Sequence, residues 1–127
     1  MKRILCFIVI LCLLASFSGC TAHVASSDSG TVRFHYGNKK IDAQLSEEDL
    51  QTVKEILDGK MLIPENLSCG FTEDVSIRLG GRTYCIACDT CSFMYVKETG
   101  RYINLSDEEN DTLRTLMERY GCHFPCI

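Results

Sequence analysis

Two apolar periods alternate along this chain and predict its elements. Residues 31–36 repeat with period two, Val32 and Phe34 against Thr31, Arg33 and His35, and read as a strand. Gly37-Asn38 marks a turn, and residues 39–43 read as a second short strand. The period then lengthens. Leu50, Val53, Ile56 and Leu57 share one helical stripe, with Ser46 as the cap and Asp49 at the third helical position. Gly59 predicts the stop, and Pro64 keeps the next segment in a connector. Residues 71–79 read as a strand with Val75, Ile77 and Leu79 on one face. Gly80-Gly81 is a hairpin signal. Residues 82–87 return, with Tyr84 and Ile86 on one face and Thr83 and Cys85 on the other. Asp89-Thr90 reads as a turn. Residues 92–97 and 101–104 read as strands around a turn at 98–100. Ser106 and Glu109 then make a full capping box for a second helix, whose stripe is Leu113, Leu116, Met117 and Tyr120 and whose stop is Gly121. The acidic first turns of both helices suit the positive ends of their dipoles. The order predicts an α+β fold: an antiparallel sheet of about four to six strands with two amphipathic helices packed on one face.

The helix regions resemble each other at an offset of 60. Leu45-Ser46-Glu47-Glu48 matches Leu105-Ser106-Asp107-Glu108, Thr52 matches Thr112, and Ile56-Leu57 matches Leu116-Met117. An old duplication gives this pattern, and so do two unrelated helices obeying the same capping and stripe rules. Two copies are too few for a solenoid.

The N-terminus has a different character. Lys2 and Arg3 precede an apolar run at residues 4–15. As a helix that run rises about 18 Å, short of the ~30 Å bilayer core, so it reads as a signal-peptide core. Phe17-Ser18-Gly19-Cys20 then resembles the bacterial lipoprotein box, with Phe17 where an aliphatic residue is commoner. The resemblance covers residues 1–20 only. It implies cleavage after Gly19 and acylation of Cys20, hence palmitate-type chains and an extracytoplasmic domain anchored to a bacterial membrane. Cleavage after Ala22 or Ala25 would instead give a secreted protein, and no cleavage a hydrophobic anchor. The expected organisation is residues 1–19 as cleaved signal, 20–30 as a lipid-anchored tether of small polar residues, and 31–127 as one small cysteine-rich domain. Cys6 and Cys12 lie in the signal, and His23 in the tether.

Composition narrows the function classes. Of 127 residues, 13 are basic and 17 acidic; without Lys2 and Arg3 the mature chain has 11 against 17, or −6. That balance argues against a nucleic-acid partner. One domain of this size holds a single modest core.

Nine cysteines are the strongest chemical signal. Setting aside Cys6, Cys12 and Cys20 leaves Cys69, Cys85, Cys88, Cys91, Cys122 and Cys126. An even number in an exported domain favours disulfides, with connectivity open. The 122–126 segment is expected to return near Cys85, Cys88 and Cys91. Two other chemistries use the same residues. Cys85-x-x-Cys88-x-x-Cys91 with Cys122-His123-x-x-Cys126 offers ligands for zinc or an iron–sulfur cluster, though the second half is Cys-x-x-x-Cys. Cys85–Cys88 and Cys88–Cys91 also have dithiol spacing, but on strand and turn rather than at a helix N-terminus, where thiol pKa values fall.

The sequence holds no phosphate-binding glycine loop, serine nucleophile motif or His-Glu-x-x-His pair. Most carboxylates sit in helix first turns, where capping accounts for them. No cofactor is implied. These features favour a non-catalytic, membrane-tethered binding or structural module. Its expected partners are the membrane, through the lipid, and a protein, peptide or envelope ligand. A metal-binding or thiol redox module is the alternative. Tyr84, Phe93, Tyr95 and Tyr102 crowd the sheet, and an exposed subset of them would make a recognition patch.

Overall fold

The computed structural model describes residues 27–126; the expected signal, Cys20 and most of the expected tether lie outside them. The elements follow the chain as β1 (Gly30–Tyr36), β2 (Lys39–Gln44), α1 (Glu47–Leu57), β3 (Val75–Leu79), β4 (Arg82–Ile86), β5 (Phe93–Val96), β6 (Arg101–Asn104) and α2 (Asp107–Glu118). All six strands join one antiparallel sheet in the order β2-β1-β3-β4-β5-β6. The fold is the expected α+β sheet with two helices.

The core lies between one sheet face and the helices. Val32, Phe34, Ile77, Tyr84, Met94, Val96 and Ile103 project from the sheet, and Leu50, Val53, Leu57, Leu113, Leu116 and Met117 meet them from the helices. Period-two and period-3.6 stripes therefore close on one another. Gly80 and Gly81, with φ of 57° and 76°, form the β3–β4 turn, a backbone only glycine adopts without strain. Gly30 begins β1 inside the expected tether. A side chain there would meet Leu45 Cδ1 at 2.9 Å, with Leu50 and Leu79 at 3.2 Å.

The strand expected at 71–79 begins only at Val75. Residues 58–74 form a crossover instead. Ile63 pairs with Tyr102 at the β6 edge, donating at 2.8 Å and accepting at 2.9 Å. The chain then passes over the outer sheet face. Phe71 packs on Tyr95 and Tyr102, and Asp74 N–H donates to the Thr72 hydroxyl at 3.2 Å. Phe71 leaves the sheet plane because its contacts lie on the face away from the helices.

The offset of 60 reappears in three dimensions. Each helix follows a β-hairpin, and the two hairpins occupy opposite halves of the sheet. The strand order is symmetric about the β3–β4 pair, with β1 matching β5, β2 matching β6 and, by the offset, α1 matching α2. Contacts between the halves obey this matching. Tyr120 bonds Asp49, and Lys60 bonds Glu109 at 2.6 Å; adding 60 to one residue and subtracting it from the other turns the first pair into the second.

Candidate functional site

Cysteine positions follow from strand alternation and from two returns of the chain. Cys69 in the crossover bonds Cys91, just before β5, with Cα atoms 6.3 Å apart. Cys126 in the tail bonds Cys88, just after β4, with Cα atoms 4.9 Å apart, and its N–H donates to Cys88 O at 3.2 Å. The tail thus returns to the Cys88 region. Phe124 meets Phe34 edge-on at 6.0 Å, and the Arg114 guanidinium lies 5.3 Å above the Phe124 ring.

Cys85 and Cys122, both disulfide candidates from sequence, carry free buried thiols. Cys85 pairs in register with Tyr95 on the outer face, whereas Cys122 belongs to the helix-side core. The sheet separates them. Burial pushes each thiol up to about 11, and carboxylates at Glu98 and Glu73 add to the effect at Cys85. Neither thiol has the electropositive, accessible surroundings that make a reactive thiolate.

The alternative metal set is dispersed in this arrangement. Cys88 and Cys91 are in different bridges, Cys85 and Cys122 lie on opposite sides of the sheet, and His123 is exposed. Among the described residues, Cys69, Asp89 and Cys91 form the one group of three or more His, Cys, Asp or Glu side chains whose ligand atoms all fall within 4.8 Å of one another. Two of those atoms are the sulfurs of one bridge, and the Asp89 carboxylate accepts from Cys91 N–H at 2.9 Å. That chemistry is a stapled turn.

His35 lies on the outer face, its Nε2 2.7 Å from Asp42 Oδ2, with Arg33 Nε 3.1 Å from the other oxygen. The His35 bond, with that of Arg33, outweighs desolvation and holds the Asp42 carboxyl below its usual range. This exposed trio is a surface charge network.

The outer face also carries a cluster of three aromatic rings. Tyr95 and Tyr102 are direct cross-strand partners with ring centroids 5.2 Å apart. Phe71 adds a third ring, 6.0 Å from Tyr95 and 5.6 Å from Tyr102. Alternation places these tyrosines outward because Met94 and Ile103, their chain neighbours, are in the core. With Glu65, Asn66, Cys69 and Gly100 they line an open cavity of about 450 Å³. The Cys69–Cys91 bridge holds one rim. Tyr84, counted with this group from sequence, is buried among the helices' apolar side chains. Sequence pointed to Tyr95 and Tyr102 but missed Phe71, Glu65 and Asn66. These come from a connector, where no period signals which way a side chain faces.

No family model, curated protein or solved structure matches the chain. Among the described residues no helix is long and apolar enough to cross a membrane.

Proposed function

We propose that the protein is an extracytoplasmic lipoprotein, held to a bacterial membrane through acylated Cys20, whose disulfide-stapled domain is a non-catalytic binding module. The Cys69–Cys91 bridge carries this reading because it bears on both address and activity. Such bridges persist in oxidising compartments, which agrees with an export signal. This one also pins the crossover that sets Phe71 beside Tyr95 and Tyr102 in a solvent-open cavity. The signal run and Phe17-Ser18-Gly19-Cys20 support the anchor. Each buried lipid CH₂ contributes about 0.8 kcal/mol, so two or more chains hold a domain firmly. The remaining thiols, buried and with raised pKa, favour binding over thiol redox chemistry.

Growth of the native host with an alkyne-bearing fatty acid tests the anchor. The protein is expected to take up the label and to sediment with membranes, and Cys20→Ala to lose both properties. An unlabelled wild-type protein in the soluble fraction would overturn the anchor.

A further inference from the structure

We propose that the outer edge of β2 pairs with the same edge of a second copy of this chain, so that two sheets run on into one. The two edges of the sheet are finished differently. At the β6 edge the chain leaving α1 folds back, and Ile63 exchanges both backbone hydrogen bonds with Tyr102. By the offset of 60 the matching residues are His123 and Asp42. There the chain leaving α2 runs instead to Cys88, where Cys126 is bridged. Among the described residues nothing pairs with the outer edge of β2. Its backbone groups are open where those of β6 are met.

The phase of the ladder shows which groups these are. Leu45 N–H donates to Gly30 O at 2.8 Å, so alternation bonds Ala43 to Val32, Ile41 to Phe34 and Lys39 to Tyr36. In agreement, His35 N–H donates away from β2, to Asp74 O at 2.8 Å. Lys40, Asp42 and Gln44 therefore direct N–H and C=O outward. An antiparallel second β2 opposes residues of like face. Opposing Lys40 with the partner's Lys40, or Asp42 with the partner's Asp42, would put like charges together. Opposing Lys40 with the partner's Asp42 joins opposite charges, and symmetry repeats the pair. Among the described residues no ion pair engages Lys40, while Arg33 and His35 hold Asp42 from the β1 side. In this register Ile41, which packs on the core, faces the partner's Ile41 on the helix side. Edge lysines deter indiscriminate pairing, and this one selects a register. A foreign strand would need an acid and a base two residues apart in the right order. β2 supplies both itself.

The mature protein, purified from its native host in mild detergent, is examined by sedimentation velocity. A reversible dimer is expected. Lys40→Glu, at an exposed side chain, is expected to raise its dissociation constant about tenfold by turning two attractive pairs repulsive. Cysteine substitution reads the register. The Ile41 positions form a non-hydrogen-bonded pair with Cα atoms about 4.5 Å apart, within disulfide reach. Under mild oxidation Ile41→Cys is expected to give a crosslinked dimer. Ala43→Cys, which opposes the partner's Lys39, is expected to give none. The Lys40→Glu reading does not depend on either cysteine variant folding. A monomer at every concentration, or a dimer indifferent to Lys40→Glu, would overturn the proposal. So would crosslinking at Ala43→Cys in place of Ile41→Cys, or capture of a different protein by Ile41→Cys in host extracts. None of these readings involves the lipid or the aromatic cavity, so the proposed function stands or falls separately.

Discussion

The hydroxyl of Tyr120 donates to Asp49 Oδ2 at 2.7 Å, joining the chain just after α2 to the first turn of α1. The same hydroxyl accepts from Ser46 N–H at 2.9 Å. In α2 the equivalent N–H is satisfied within the helix: Glu109 reaches back to Ser106 N–H at 2.9 Å and completes a capping box. Asp49 is one methylene shorter, and Tyr120 bridges the gap. Lys60 makes the mirrored contact on Glu109. Capping rules dictate serine and an acid in each helix, but they do not dictate which residue of the other half reaches them. The exchanged contacts thus repeat the offset of 60 across the two halves, with different side chains in the reaching position. Tyr120→Phe removes one hydroxyl that serves two partners, and is expected to cost about 1–2 kcal/mol in urea unfolding.

Acid sensitivity follows from the same contacts. Burial pushes Asp49 up, but bonds from Tyr120, Ser46 and Arg119 outweigh it and leave the carboxyl below its ordinary value. Glu109 is likewise lowered, desolvation being outweighed by Lys60 and Ser106, and so is Glu98, where the Thr83 N–H prevails. Carboxyls depressed in the folded state bind protons more readily when unfolded. Their stabilisation is full above the ordinary carboxylate range, about pH 4, and is lost as pH falls through the lower folded values. Unfolding midpoints measured from pH 6 to pH 2 are expected to decline over that interval. Tyr120→Phe and Lys60→Met are expected to flatten the decline.

The two bridges should differ in strength and consequence. Cys69–Cys91 spans 22 residues and Cys88–Cys126 spans 38. In the chain-entropy account these separations correspond to about 3 and about 4 kcal/mol. Cys88→Ser with Cys126→Ser is expected to lower stability most and to release Phe124 from Phe34. Cys69→Ser with Cys91→Ser is expected to loosen the crossover, read as faster amide exchange at residues 64–74.

Gly30 tests the packing between β1 and α1. A methyl group there meets Leu45 at 2.9 Å and must displace it. Gly30→Ala is expected to cost about 1–3 kcal/mol by thermal or urea unfolding, through overpacking. No cost would mean that the Leu45 side chain moves freely.

Strands, helices and caps were legible because each stripe repeats and each turn carries glycine or a capping side chain. Ser46 and Ser106 both cap, and residues 101–104 form the expected strand. The crossover was not legible. Phe71 next to a β-prone run imitates a strand, and its real contacts, Tyr95 and Tyr102, are distant in the chain. The cysteines were half legible: their identity favoured bridges, but which four pair depends on the crossover path and on the face Cys85 occupies. The aromatic cavity needed both β5–β6 alternation, which the sequence displays, and the position of residues 65–71, which it does not.

Intact mass of the mature protein, taken from its native host without reductant, tests the central claim most directly. Alkylation is performed before and after denaturation. The expected result is a chain beginning at acylated Cys20 and lighter by the four hydrogens of two bridges. Cys85 and Cys122 should resist alkylation when folded and react when unfolded. A chain without lipid, carrying reactive Cys69, Cys88, Cys91 or Cys126 thiols in its folded state, would contradict an oxidised, membrane-tethered binding domain.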